Sequence, residues 1–147
     1  MGDEIHQNPE KSDFSIVLKS GGVEDTSEYW QEQCERLYYS ICRILPEDSS
    51  IKPLNREGSK GDRIVLETIF STLVAFGITG KVFADIFTEA MKIWLEFRPT
   101  AEIELKCPDG ITVKISKIPL AKLSNFFEEN PQLSVCKGLH RFKNSNR

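Results

Sequence analysis

Cys136 and His140 lie four residues apart, the spacing that brings a thiol and an imidazole together on one helical turn. A thiolate beside an imidazolium is a working nucleophile. Gly138 stands between them and no nearby carboxylate would orient the ring, so a small cysteine-dependent enzyme is the alternative and an ordinary thiol the plainer reading. The only other histidine is His6, which leaves general-base chemistry poorly supplied. Cys34, Cys42, Cys107 and Cys136 contain no C-x-x-C pair from which a zinc site would start. Cys34 and Cys107 fall on apolar faces and read as small core residues. Gly58-Ser59-Lys60-Gly61-Asp62 has the glycines and lysine of a phosphate loop, but not the G-x-x-x-x-G-K-[ST] order. A glycine turn feeding an Asp62 helix cap explains it better. No catalytic, cofactor-binding or metal-ligating residue is therefore assigned.

Two sets of side chains suit binding instead. Phe76, Phe83, Phe87, Trp94 and Phe97 sit in the most apolar stretch and are the candidate partner-binding residues, although aromatics at helical spacing are more often packing groups. Lys137, Arg141, Phe142 and Lys143 belong to an acid-free segment, Ser134 to Arg147, with a local charge of +4. Such a segment suits an acidic protein groove or salt-sensitive contact with nucleic acid. A nucleic-acid-contacting regulator is thus a further alternative.

The elements that must position these residues follow from periodicity. At 147 residues with a net charge of -3, the chain suits one domain and has no global pull toward polyanions. Irregularly spaced cysteines and no signal peptide favour a reduced, cytoplasmic setting. The longest charge-free window, Thr68 to Gly80, is well short of a membrane span. Residues 1–12 read as a disordered polar tail, 13–131 as the domain and 132–147 as a basic tail.

Within the domain, alternation over Phe14–Lys19 predicts a strand. Trp30, Cys34, Leu37, Tyr38, Ile41 and Leu45 recur every three or four residues and predict a helix, capped from Asp25–Ser27 and stopped by Pro46. Glu47 to Asp62 reads as a polar connection, with a short edge strand at Ile51–Leu54. Val65, Leu66, Ile69, Phe70, Leu73 and Val74 predict a helix ending at Gly77, and a second helix runs from a Thr79 cap to Leu95. Its charges, Lys81, Asp85, Glu89, Lys92 and Glu96, draw one narrow polar stripe, so most of its circumference needs a cover. Ile103, Leu105 and Cys107 inward, a Pro108-Asp109-Gly110 turn, then Ile111, Val113 and Ile115 make a hairpin. Glu102, Glu104 and Lys106 point outward. Pro119 opens a short helix ending near Asn130-Pro131. The fold class is α+β: a small, mostly antiparallel sheet with three to four helices on one face.

Gly58-Ser59-Lys60-Gly61-Asp62, the apolar run through Leu73 and Phe83, Trp94-Leu95 with Arg98, and Pro108-Asp109-Gly110 between two strands occur in a suggestive order. Over about Phe14 to Ile118 the chain resembles the effector-associated constant component family of bacterial conflict systems. The resemblance implies a non-catalytic α+β adaptor, encoded beside or fused to effectors such as peptidases, that couples a sensing event to effector activity. The basic segment after Pro131 has no counterpart there. The partner implied is another protein, an effector such as a peptidase or a sensor subunit, with self-association an open option, nucleic acid disfavoured and no cofactor. A few apolar anchors on the helix pair between Val65 and Leu95 would hold such a complex at micromolar strength or tighter.

Overall fold

A computed structural model describes residues 13–21, 28–60, 63–115 and 117–145. Five strands form one antiparallel sheet in the order β2-β3-β1-β4-β5, and the fold class is α+β. The strands are β1 (Phe14–Lys19), β2 (Ser50–Lys60), β3 (Arg63–Phe76), β4 (Glu102–Lys106) and β5 (Thr112–Ile115). Register places Ile16 opposite Leu73 on one side and Leu105 on the other, with Val113 beyond. All four are buried. This apolar row, with Phe14, Leu18, Ile103 and Ile115, is the floor on which the helices pack.

The helices are α1 (Glu28–Cys42), α2 (Gly80–Val82), α3 (Thr88–Glu96), α4 (Lys117–Glu129) and α5 (Val135–Ser145). A π turn, Phe83–Phe87, joins α2 to α3 without a break. Thr79 caps this run as its sequence predicts, its hydroxyl oxygen accepting from the Val82 N–H at 3.2 Å. Phe83 and Phe87 stack at 5.6 Å and both meet the edge of Phe14 at 5.9 Å. That aromatic cluster is the centre of the core.

Several expectations are corrected. The helix expected over Val65–Val74 is the strand β3. Its apolar positions fit a 3.6-residue period, but Ile64, Val65, Thr68, Ile69, Thr72 and Val74 are β-branched and pack better on a pleated surface. The polar connection is mostly β2, an edge strand as expected but far longer. Gly58, Ser59 and Lys60 lie in it, not in a helix-capping turn. Register shifts between Pro53 and Leu54, where β3 loops out three residues. Gly77 still ends the segment with a φ of 69°, and a Cβ there would lie 2.5 Å from the Asp48 carbonyl oxygen.

The first helix ends at Cys42, before Pro46. Glu104, expected outward, is buried on the far face of the sheet, where the Lys19 Nζ donates to its carboxylate at 3.0 Å. That hydrogen bond, ahead of the cost of burial, holds its carboxyl below the ordinary value.

The largest correction concerns residues 132–147. They do not trail from a domain closed at 131: α5 buries Val135, Leu139 and Phe142 in the common core. It crosses α4 so closely that a Cβ on Gly138 would sit 2.1 Å from the Phe127 ring. The expected tail at 1–12 and the caps at Asp25–Ser27 and Asp62 lie outside the described residues.

Candidate functional site

The strongest chemical candidate is removed by covalent structure. Cys136 is joined to Cys107 in a disulfide, so it holds no thiol to deprotonate, and the expectation of four reduced cysteines is corrected for this pair. Cys34, buried, and Cys42, exposed, are not joined in a disulfide. The His140 imidazole faces the Asp109 carboxylate, with Nε2 and Oδ2 2.5 Å apart. Both groups are exposed. His140 lowers the Asp109 pKa chiefly by this hydrogen bond. The pair and the disulfide fasten α5 to the β4–β5 turn, with the Lys143 Nζ donating to the Thr112 carbonyl at 3.2 Å. Among the described residues, no cluster of three or more His, Cys, Asp or Glu side chains is arranged to hold a metal ion, and no helix is long and apolar enough to cross a membrane.

The aromatic candidates separate sharply. Phe83 and Phe87 are core residues and present no surface to a partner, which corrects their assignment, whereas Trp94 is buried but lines a hollow between α1 and α3. Phe76 is half-buried at the end of β3. Phe97 alone stands out, 78% exposed. Among the basic candidates, Phe142 is buried, whereas Lys137, Arg141 and Lys143 are exposed on α5.

Phe97 belongs to a feature that periodicity did not single out. α1 turns Trp30, Gln33, Cys34, Leu37 and Ile41 inward, and α3 turns Met91, Trp94 and Leu95 inward. The two helices are tied at one end. Trp94 Nε1 donates to the Gln33 carbonyl at 2.8 Å, and the Arg98 guanidinium reaches the Gln33 side chain through Nε at 3.0 Å and through its terminal nitrogen. Arg98 also donates to the Trp94 carbonyl and lies over the Trp94 ring at 5.0 Å. This knot gives the Trp94-Leu95 and Arg98 pattern a structural role.

Between the helices, on the side away from the sheet, two hollows of about 280 and 190 Å³ share Ser40, Ala90 and Ile93 and so form one groove. Ile44 (56% exposed), Ile93 (48%) and Phe97 are large apolar side chains left open along it. Ile86, Ala90, Ile93 and Phe97 repeat at four, three and four residues, the spacing of a helical stripe.

The groove ends differ in charge. Arg36 and Arg98 line the end at Phe97, and burial, followed by the nearby Arg36 cation, lowers the Arg98 pKa. Asp85, whose carboxylate pairs with the Lys81 Nζ at 3.1 Å, and Glu89, with Arg43, line the end at Ile44, where the charges balance. An open apolar strip with charged ends can grip a side-chain ridge on another polypeptide.

The chain matches no protein-family model, no curated protein and no solved structure.

Proposed function

We propose that this chain is a non-catalytic protein–protein interaction adaptor, or regulatory subunit, that couples a sensor to an effector such as a peptidase in a prokaryotic defence system. The resemblance described above supplies the sensor, the effector and the setting. The observation that carries the interaction role is the groove between α1 and α3, where three of the five exposed large apolar side chains among the described residues, Ile44, Ile93 and Phe97, lie together, Tyr29 and Tyr39 being outside its lining. Contiguous exposed apolar residues with a charged rim are the anatomy of a docking surface.

Burying side chains of this size contributes roughly 1.5–3 kcal/mol each. Three of them approach the roughly 8 kcal/mol of a micromolar complex, and contacts from the rim must offset the cost of association. The test is co-expression of the tagged chain with the proteins encoded beside it. An effector co-elutes with the wild type and is lost with Ile93→Asp. If none co-elutes and effector activity is indifferent to the chain, the adaptor reading fails.

A further inference from the structure

We infer that the Phe97 end of the groove between α1 and α3 is a carboxylate-binding site, and that its occupant is an amphipathic helix of another protein with an aspartate or glutamate beside its apolar stripe. The site rests on the groove being an interaction surface and names the chemistry of what it takes. The Arg98 guanidinium has five N–H groups. Nε and one terminal nitrogen each give one to the Gln33 side-chain oxygen, and the other terminal nitrogen gives one to the Trp94 carbonyl. One N–H on each terminal nitrogen is left over. The Gln33 oxygen and the Trp94 ring, 5.0 Å from the guanidinium carbon, fix where those two donors stand.

Arg36 is exposed and lines the same hollow as Arg98. Among the described residues neither guanidinium pairs with a carboxylate, although Glu32, Glu35 and Glu96 stand close in sequence. At the Ile44 end Asp85 is taken by Lys81, and Glu89 shares the lining with Arg43, so the charge left uncompensated in the groove is positive and sits at one end. The two oxygens of a carboxylate match paired N–H donors of a guanidinium, and a second cation beside them adds to the attraction. Because Gln33 and Trp94 already hold Arg98, little ordering is lost when the anion arrives. The exposed Ile93 and Phe97 adjoin this pair, so the acid must be flanked by apolar side chains. From Asp85 to Phe97 the groove wall runs about 18 Å, roughly three turns of a helix laid along it, and an acid at one end only fixes the direction in which that helix lies.

The test is selection on the full chain from a displayed library of helical peptides of about twelve residues, with leucines fixed at helical spacing and the other positions random, followed by measurement of affinity. The bound peptides carry Asp or Glu beside the leucine stripe near one end. Replacing that acid by glutamine weakens binding about tenfold, and Arg36→Glu in the chain does the same. Arg36→Glu binds again when the peptide has lysine in place of its acid. Arg98→Lys, with its fold checked by circular dichroism, keeps the charge but loses the paired donors, and weakens the acid-bearing peptide more than the glutamine one. Phe97→Glu abolishes binding with an unchanged circular dichroism spectrum, since the side chain is exposed. Selection of no peptide, peptides with no preference for an acid, or acid-bearing peptides indifferent to Arg36→Glu and Arg98→Lys overturn the inference. If a neighbour-encoded effector is then still held through Ile93, the adaptor reading stands without the carboxylate site. Acid-bearing peptides seated in the groove of a chain that holds no neighbour do the reverse.

Discussion

The side of α3 that faces the sheet and the side that faces α1 across the groove differ less in composition than in what stands opposite them. Met91, Trp94 and Leu95, continuing the line of Phe83 and Phe87, meet β1, α1 and α4 and lose their water. Ala90, Ile93 and Phe97 are apolar too, yet they line an open groove beside α1. The lesson is that aromatic residues at helical spacing marked the core, and the interaction candidate lay one helical face away. Size and hydrophobicity identify what a fold can bury. They do not say which of two apolar faces receives the cover.

Mutation separates the two faces. Phe83→Ala, in the buried face, removes a ring packed against Phe14, Phe87 and Phe127 and costs about 3–5 kcal/mol, read as a fall in the urea midpoint. A loss below about 1 kcal/mol there would break the contrast.

The next effect tests how firmly α5 belongs to that core. Cys136→Ala opens a link spanning 29 residues and costs roughly 3.5 kcal/mol on a loop-entropy account, with reductant lowering the wild-type melting temperature toward the variant's. Equal stability of the two forms would show that packing of Val135, Leu139 and Phe142 suffices to hold the helix.

A smaller effect concerns the face of the sheet away from the helices, where Glu104 is buried. The Glu104 carboxyl is held below its ordinary value of 4.5, first by the hydrogen bond from Lys19, so in acid the unfolded chain binds more protons than the folded one. Stability from this group is therefore present above the ordinary value and lost as the pH falls through the lower folded value. Melting temperature against pH should fall less steeply on that limb in Glu104→Gln.

The smallest effect sharpens the comparison most. Phe97→Glu, on the open face, changes stability by about 0.5 kcal/mol or less while abolishing association. A large stability loss would mean that Phe97 is part of the core after all.

Much of the architecture was legible because it is local. Alternation in Phe14–Lys19, the Thr79 cap, and Pro108-Asp109-Gly110 between period-two runs each rest on the backbone preferences of a few adjacent residues, and the structure has all three. The reading failed at Arg63–Phe76, where apolar residues satisfied both periods and only pairing with β2 and β1 selects the strand. It failed again after Pro131. There Lys137, Arg141 and Lys143 suggested a solvated tail, although Val135, Leu139 and Phe142 form a buried stripe on the same helix. The candidate site was legible only in Trp94 and Phe97, because the groove is a gap between two helices far apart in the chain.

Composition and periodicity settled that this is an α+β protein, and where its first strand, capped helix and hairpin lie, because those features depend on interactions between near neighbours. Only folding in three dimensions decided that Cys107 meets Cys136, that β3 is a strand, and that Ile44, Ile93 and Phe97 share one uncovered groove. Each of these depends on how separate elements pack. Spacing along one element carries no information about what the next will cover.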